Sequence, residues 1–83
     1  MHQSHPDIIA RLKRAEGHLR SVIAMIEQGR PCLDLATQLH AVEAAITKAK
    51  RELIHDHIEH CLDEEGMEPK AALREFKQIS KFL

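Results

Sequence analysis

Two cysteines and one histidine have the residue types and the spacing of a transition-metal site. His57 and Cys61 stand four positions apart in a helix-forming run, so they share one helix face. Cys32 lies far upstream, and no Pro or Gly separates it from His57. A continuous helix would hold Cys32 and His57 roughly 37 Å apart, at a rise of ~1.5 Å per residue. One chain therefore cannot bring all three side chains to one ion. Two antiparallel chains can, if each cysteine meets the His/Cys pair of the other.

The ligand types limit the choice of metal ion. Thiolate and imidazole favour Cu(I), Zn(II), Ni(II) or Co(II) over magnesium and calcium. Two sulfurs and one nitrogen suit Cu(I), and a fourth ligand would suit Ni(II), Co(II) or Zn(II). His2 and His5, on a short arm before the first helix, are candidates for that fourth ligand, and the backbone amine is another. The alternative interpretation is structural, because a single cysteine is more often a small buried hydrophobe.

Three helices must position these residues. The hydrophobic periodicity and the breakers predict helices over about 6–28, 32–62 and 70–82. Gly29 supplies a left-handed stop for the first helix, and Gly66 with Pro69 interrupts the chain before the third. The fold class is therefore all-α, a three-helix protomer with a long central helix.

The long second helix has the pattern of a helix that packs against a partner. Its apolar residues recur by fours and threes, as in a helix–helix seam: Leu35, Leu39, Val42, Ile46, Ala49 and Leu53. Small residues cluster near its midpoint, around Ala45, and would allow two such helices to cross closely. The seam and the spacing of the sulfur and nitrogen ligands predict the same antiparallel dimer.

Length and composition predict one small helical domain over residues 1–83. The chain has two Phe and neither Trp nor Tyr, and only three Gly and three Pro. A chain of 83 residues buries a modest core, which favours a homo-oligomer. We see neither a signal peptide nor an apolar run of about 20 residues, so we expect a cytoplasmic protein without a membrane partner.

Charge is segregated along a chain whose net charge is −1. Basic residues crowd the first helix and the middle of the second: Arg11, Lys13, Arg14, Arg20, Lys48, Lys50 and Arg51. Such a patch can bind nucleic acid, although a solvated helix face is the simpler explanation of an isolated patch. The sequence contains neither a Gly-rich phosphate loop nor a serine elbow. We therefore expect no enzyme and no small-molecule substrate.

Two runs, RLKRAEGHLRSVIAMIEQGRPCLD and QLHAVEAAITKAKRELIHDHIEHC, resemble the copper-sensitive operon repressor family. That family (CsoR-like) has nickel/cobalt-responsive (RcnR-like) and formaldehyde-responsive (FrmR-like) branches, and the resemblance covers about residues 5–83. It implies an all-α repressor that forms a dimer of dimers and binds operator double-stranded DNA through basic surfaces. Metal bound between subunits would lower DNA affinity and derepress efflux genes.

The resemblance also implies roles for individual residues. Cys32 would bind the metal from one protomer, and His57 with Cys61 from the other. The DNA-facing residues would be Arg11, Arg14, Lys48 and Arg51, with Lys13 and Lys50 beside them. Contacts of this kind go mainly to phosphates and make binding sensitive to salt.

Four features depart from the family pattern. His18 stands where the family often has Gln after the glycine of the first helix. The copper branch carries an acidic residue beside the ligands in its last helix, and here Glu75 is the only acid in that stretch. The nickel/cobalt branch ends its ligand pattern in histidine rather than in a residue like Cys61. The formaldehyde branch usually has proline after the initiator, where this chain has His2.

The leading hypothesis is a metal-responsive DNA-binding repressor that uses Cu(I), or Ni(II)/Co(II), with Zn(II) as a further option. One alternative keeps the DNA binding and makes the two cysteines a sensor of formaldehyde or reactive sulfur. Another is a metal-buffering helical scaffold that does not bind DNA.

Overall fold

The described chain is helical throughout its regular structure. The computed structural model describes residues 5–61 and 68–83; the side chains of residues 60 and 61 lie outside that description. The elements, in chain order, are α1 (His5–Glu27), α2 (Cys32–Cys61), α3 (Pro69–Ile79) and a 3-10 turn (Ser80–Phe82). The predicted all-α class and the three predicted helices are confirmed, each with bounds within a few residues of those expected.

A tight turn joins α1 to α2 and reverses the chain. Gly29 has a φ of 73°, a left-handed conformation that glycine adopts without a Cβ clash. The amide of Arg30 donates to the carbonyl of Met25 at 3.1 Å, and the amide of Gly29 donates to Ile26 at 3.0 Å. These two bonds form the Schellman motif that closes a helix end. The predicted role of Gly29 as a helix stop is thereby confirmed.

Side-chain contacts show that α1 and α2 pack as an antiparallel pair. His18 on α1 meets Gln38 on α2, and Arg11 on α1 meets Glu52 on α2. Residue numbers thus fall along α1 as they rise along α2. The pair is long and thin, and the protomer extends 54 × 24 × 14 Å.

The core of the pair is built from residues that recur every seven positions on both helices. The buried apolar members are Ile8, Ala15 and Val22 on α1, and Val42 and Ala49 on α2; Ile54 of α2 is buried outside this row. A row of this spacing stays on one face over several turns, so the two rows close on each other along most of the hairpin. Val22, 1% exposed, is the largest fully buried side chain among the described residues.

A second apolar row lies beside the buried one and remains partly open. It consists of Leu12, Leu19 and Ile26 on α1 and Leu39, Ile46 and Leu53 on α2, all between 38% and 56% exposed. The seam predicted for α2 therefore divides into two rows. Val42 and Ala49 close the protomer's own core, whereas Leu39, Ile46 and Leu53 face outward. Ala49 is consequently not available for the close helix crossing expected near the middle of α2.

α3 is amphipathic and packs more lightly on α2 than α1 does. Its chain enters the helix through Glu68 in an extended conformation, with Pro69 in the first turn. Ile79 and Phe82, from α3 and the 3-10 turn, lie over the α2 residues Leu53 and His57 across a shared cavity. In the described ranges, none of the helices combines the length and apolarity that spanning a bilayer requires.

Candidate metal centre and nucleic-acid interface

The candidate metal ligands lie at the two ends of α2. Cys32 is the first residue of α2, and its thiol is exposed. His57 lies in the last turns of the same helix. Cys61 ends α2, but its side chain is outside the description, as is all of His2. α2 is unbroken between Cys32 and His57, so the helical separation of roughly 37 Å that the sequence predicts holds within one chain.

His57 contacts an acid from the last helix. Its Nε2 lies 2.9 Å from Oε1 of Glu75 on α3. The Nε2 atom is buried, but the ring is not oriented to form a hydrogen bond between this nitrogen and the Glu75 carboxylate. The contact is thus an electrostatic one between imidazole and carboxylate. In metal sites, a carboxylate that accepts the N–H of one ring nitrogen orients the histidine and leaves its other nitrogen for the metal.

His5 lies close to His57 in the fold. Both residues line a cavity of about 390 Å³ between α2 and the C-terminal elements, together with Lys50. Nε2 of His5 also lies 3.4 Å from Oδ2 of Asp56, a carboxylate that is only 7% exposed. Of the two N-terminal histidines predicted as extra ligands, His5 is thus near the predicted site, and His2 lies outside the described residues.

The donor set suits a thiophilic transition metal. The described donors are the exposed thiol of Cys32, the imidazole of His57 with its buried nitrogen beside a carboxylate, and the nearby imidazole of His5. Thiols and imidazoles are borderline-soft donors of the kind that bind Cu(I), Ni(II) or Zn(II). Within one chain, no group of three or more His, Cys, Asp or Glu side chains among the described residues is close enough to hold an ion.

Three of the predicted DNA-binding residues line one groove. Arg11 and Arg14 on α1 and Lys48 on α2 surround a groove of about 240 Å³, with His18 and Ala45 completing its walls. Arg11 also pairs with Glu52, its Nε 3.2 Å from Oε2 of that carboxylate. On each helix, the groove residues lie on one side of the buried row, and the open apolar row lies on its other side. The hairpin therefore has one basic edge and one apolar edge.

The other predicted basic residues lie elsewhere. Lys13 and Arg51 are exposed and are not among the groove residues. Lys50 lines the cavity near His57 rather than the groove. Each residue of a helix is rotated by about 100° from the one before it, which separates Lys13 from Arg14 by about 100° and Lys50 from Lys48 by about 200°.

A family model for metal-sensitive transcriptional repressors matches residues 4–82 of the chain. The chain belongs to the metal-sensitive transcriptional repressor family. The resemblance to the copper-sensitive operon repressors that the sequence suggested is confirmed.

The curated relatives that the chain resembles are named as copper sensors. The chain is 36% identical over 74 residues to the copper-sensing transcriptional repressor CsoR of Mycobacterium ulcerans, covering 87% of this chain. It is 42% identical over 55 residues to the CsoR of Bacillus subtilis, covering 66% of this chain. The match spans 63% and 54% of those two relatives, so the chain accounts for under two thirds of their length.

A solved structure of the nickel-responsive transcriptional regulator InrS has the same fold. It superposes with a TM-score of 0.82 at 31% sequence identity, covering 100% of this repressor-family chain and 97% of the InrS chain.

Sequence reasoning missed two contacts that matter to these sites. In the sequence, Glu75 is the one acid in the stretch where the copper branch carries an acid beside the ligands. Its contact with His57 was not predicted, because that contact depends on how α3 folds back over α2. The bond of His18 to Gln38 and its place in the basic groove were not predicted either. The sequence signal for His18 was that it stands where the family often has Gln.

Proposed function

We propose that this chain is a metal-responsive, DNA-binding transcriptional repressor that acts as a homodimer or a dimer of dimers. The observation that carries the proposal is that Cys32 and His57 lie at opposite ends of one unbroken helix. Membership in a repressor family supports the DNA-binding part and the expectation that the chain is not an enzyme.

The open apolar row supports the pairing of two chains. Cys32 stands seven residues before Leu39, in register with the row that continues through Ile46 and Leu53. If two copies cross antiparallel at Ile46, Leu39 of each meets Leu53 of the other. Cys32 then falls level with residue 60 of the second copy, between the turns that carry His57 and Cys61.

The proposed site would use Cys32 from one copy with His57 and Cys61 from the other. A bound ion would supply bonds that join the two copies at each end of the paired α2 helices. The basic groove of each copy lies on its own hairpin, so the way the α2 helices cross sets the spacing of the two grooves. Metal occupancy and DNA affinity are then linked, with a coupling free energy on the order of 1–3 kcal/mol.

The DNA contacts in this proposal centre on Arg11, Arg14 and Lys48, with Arg51 one turn further along α2. The groove that the first three share supports a phosphate-binding role. Lys13 and Lys50 are left outside this set, because Lys50 lines the cavity near His57 and Lys13 is rotated away from Arg14 on α1.

The deciding experiment is a gel shift with the promoter DNA of the protein's own operon. We expect saturating Cu(I), Ni(II), Co(II) or Zn(II) to weaken binding by about 5- to 150-fold. Cys32→Ala should bind DNA like the native chain and lose this response. His55→Ala, which changes an exposed histidine of α2, is the control and should keep it. Unchanged DNA affinity at saturating levels of all four ions would rule out metal sensing.

Two observations favour different metals. Glu75 beside His57 meets the pattern expected of the copper branch. The closeness of His5 to His57 favours a fourth ligand, and with it nickel or cobalt. X-ray absorption of the loaded protein separates them: two sulfurs and one nitrogen indicate Cu(I), whereas four or more ligands indicate Ni(II), Co(II) or Zn(II). His5→Ala should alter the spectrum only in the second case.

The exposed thiol of Cys32 supports one competing function, a thiol-based sensor of formaldehyde or reactive sulfur. His57→Ala discriminates, because it should abolish a metal response and spare a response of the cysteines alone. Mass spectrometry after exposure to either reagent would reveal a crosslink or a bridge between Cys32 and Cys61 of two copies.

A further inference from the structure

His18 lies in the basic groove and also bonds to a neutral side chain of the other helix. It lines the groove with three cations, Arg11, Arg14 and Lys48. Its Nε2 also lies 2.7 Å from Oε1 of Gln38, across the interface between α1 and α2. The ring is half-buried and is thereby held at one orientation inside the groove.

The partner of Nε2 determines what the rest of the ring can bind. The carboxamide oxygen of Gln38 only accepts hydrogen bonds, so Nε2 of His18 carries a hydrogen. In the neutral ring, Nδ1 is then a bare acceptor and cannot bind a phosphate oxygen. In the imidazolium, Nδ1 carries a hydrogen too, and it can donate to phosphate while Nε2 keeps its bond to Gln38.

We propose that His18 is an additional phosphate-binding residue of this groove and that it contacts DNA as the imidazolium. Each groove that engages DNA then takes up one proton from solvent onto Nδ1 and returns it on release. This inference rests on the proposed DNA-binding function and adds to it a residue, a protonation state and a pH dependence.

The charged groups around His18 come from the two helices that form the groove. α1 contributes Arg11 and Arg14, and α2 contributes Lys48. Glu52 of α2 pairs with Arg11 at the same edge of the hairpin. Gln38 is neutral and does not titrate. Because the DNA-bound form of His18 carries an extra proton, DNA affinity should rise as pH falls.

The test uses fluorescence anisotropy with a labelled duplex of mixed sequence, since phosphate contacts do not depend on sequence. The full chain is kept metal-free with a chelator, and salt is held constant. We expect the DNA affinity of the native chain to be at least about threefold lower at about pH 8 than at about pH 6. His18→Gln should bind the duplex at both pH values as weakly as the native chain binds it at the higher pH.

Two further variants separate charge from structure. His18→Lys keeps a permanent cation that can still donate to Gln38, so it should bind tightly at both pH values. His40→Gln removes an exposed histidine of α2 outside the groove and should keep the native pH dependence. A structural role for His18 would not be rescued by lysine.

The outcomes distinguish this inference from the proposed function. If the native chain binds duplex DNA at neither pH, both are overturned. If it binds, and His18→Gln retains the full pH dependence, the role of His18 alone is overturned. If His18→Gln and His18→Lys are weakened equally at both pH values, the residue is structural and the phosphate contact is likewise overturned.

Discussion

At the scale of single residues, the candidate metal centre depends on side chains that support the ligands as well as on the ligands. His57 contacts Glu75, and His5 contacts Asp56, so these two histidines are each next to a carboxylate. Such acids hold a ring in place and make its free nitrogen a better donor to a cation. Glu75 comes from a different helix than His57, which links α3 to the ligand face of α2.

Glu75→Gln should therefore weaken metal binding without removing a ligand. We expect the affinity to fall by about 10- to 100-fold, as for other groups that orient metal-binding histidines. Competition with a chromophoric chelator measures it. Glu43→Gln, which neutralises an exposed acid of α2, is the control. Equal affinities of the native chain and Glu75→Gln would show that Glu75 does not support the metal site.

At the scale of elements, two glycines of the α1–α2 hairpin have opposite effects on the stability of the fold. Gly29 ends α1 with a φ of 73°, a conformation that costs a residue with a Cβ about 1–2 kcal/mol. Gly17 lies inside α1 with ordinary helical backbone, and a Cβ placed there would meet no atom within 4 Å. The first glycine is needed by the turn, whereas the second weakens the helix.

Substituting alanine at each glycine should shift stability in opposite directions. Gly17→Ala should raise the free energy of unfolding by about 0.5–1 kcal/mol, because alanine loses less entropy in a helix. Gly29→Ala should lower it by about 1 kcal/mol or more. Urea unfolding at one protein concentration measures both, since the stability of an oligomer depends on concentration. A loss of stability in Gly17→Ala would indicate a close approach to that position in the assembled protein.

At the scale of the whole molecule, the hairpin has two different edges. One carries the basic groove, and the other carries the open apolar row centred on Ile46. A protein of 83 residues gains core by covering such a row, and a second copy in antiparallel register would also complete the metal site. The proposed oligomer would thus bury the open apolar row and complete the metal site at the same surface.

Ile46→Glu should break this assembly, because burying an unpaired carboxylate at the centre of the row costs several kcal/mol. The native chain should sediment at a multiple of its 9.5 kDa mass, and the variant should shift towards the monomer. Analytical ultracentrifugation measures this, with circular dichroism as a check on helix content. Ala10→Glu adds the same charge on an exposed side of α1 and should leave the mass unchanged. A native chain that sediments as a monomer would contradict the proposed intersubunit site.

The helices and the stop at Gly29 could be predicted from the sequence, because they follow from local periodicity and backbone freedom. The distance between Cys32 and His57 also followed, since a helix has a constant rise. Only the tertiary structure decided which half of the α2 seam is buried, that Glu75 reaches His57, and that His18 joins Arg11, Arg14 and Lys48 in one groove. These facts depend on how α1 and α3 are rotated against α2. That rotation is set by packing between residues far apart in the chain, which a local pattern does not encode.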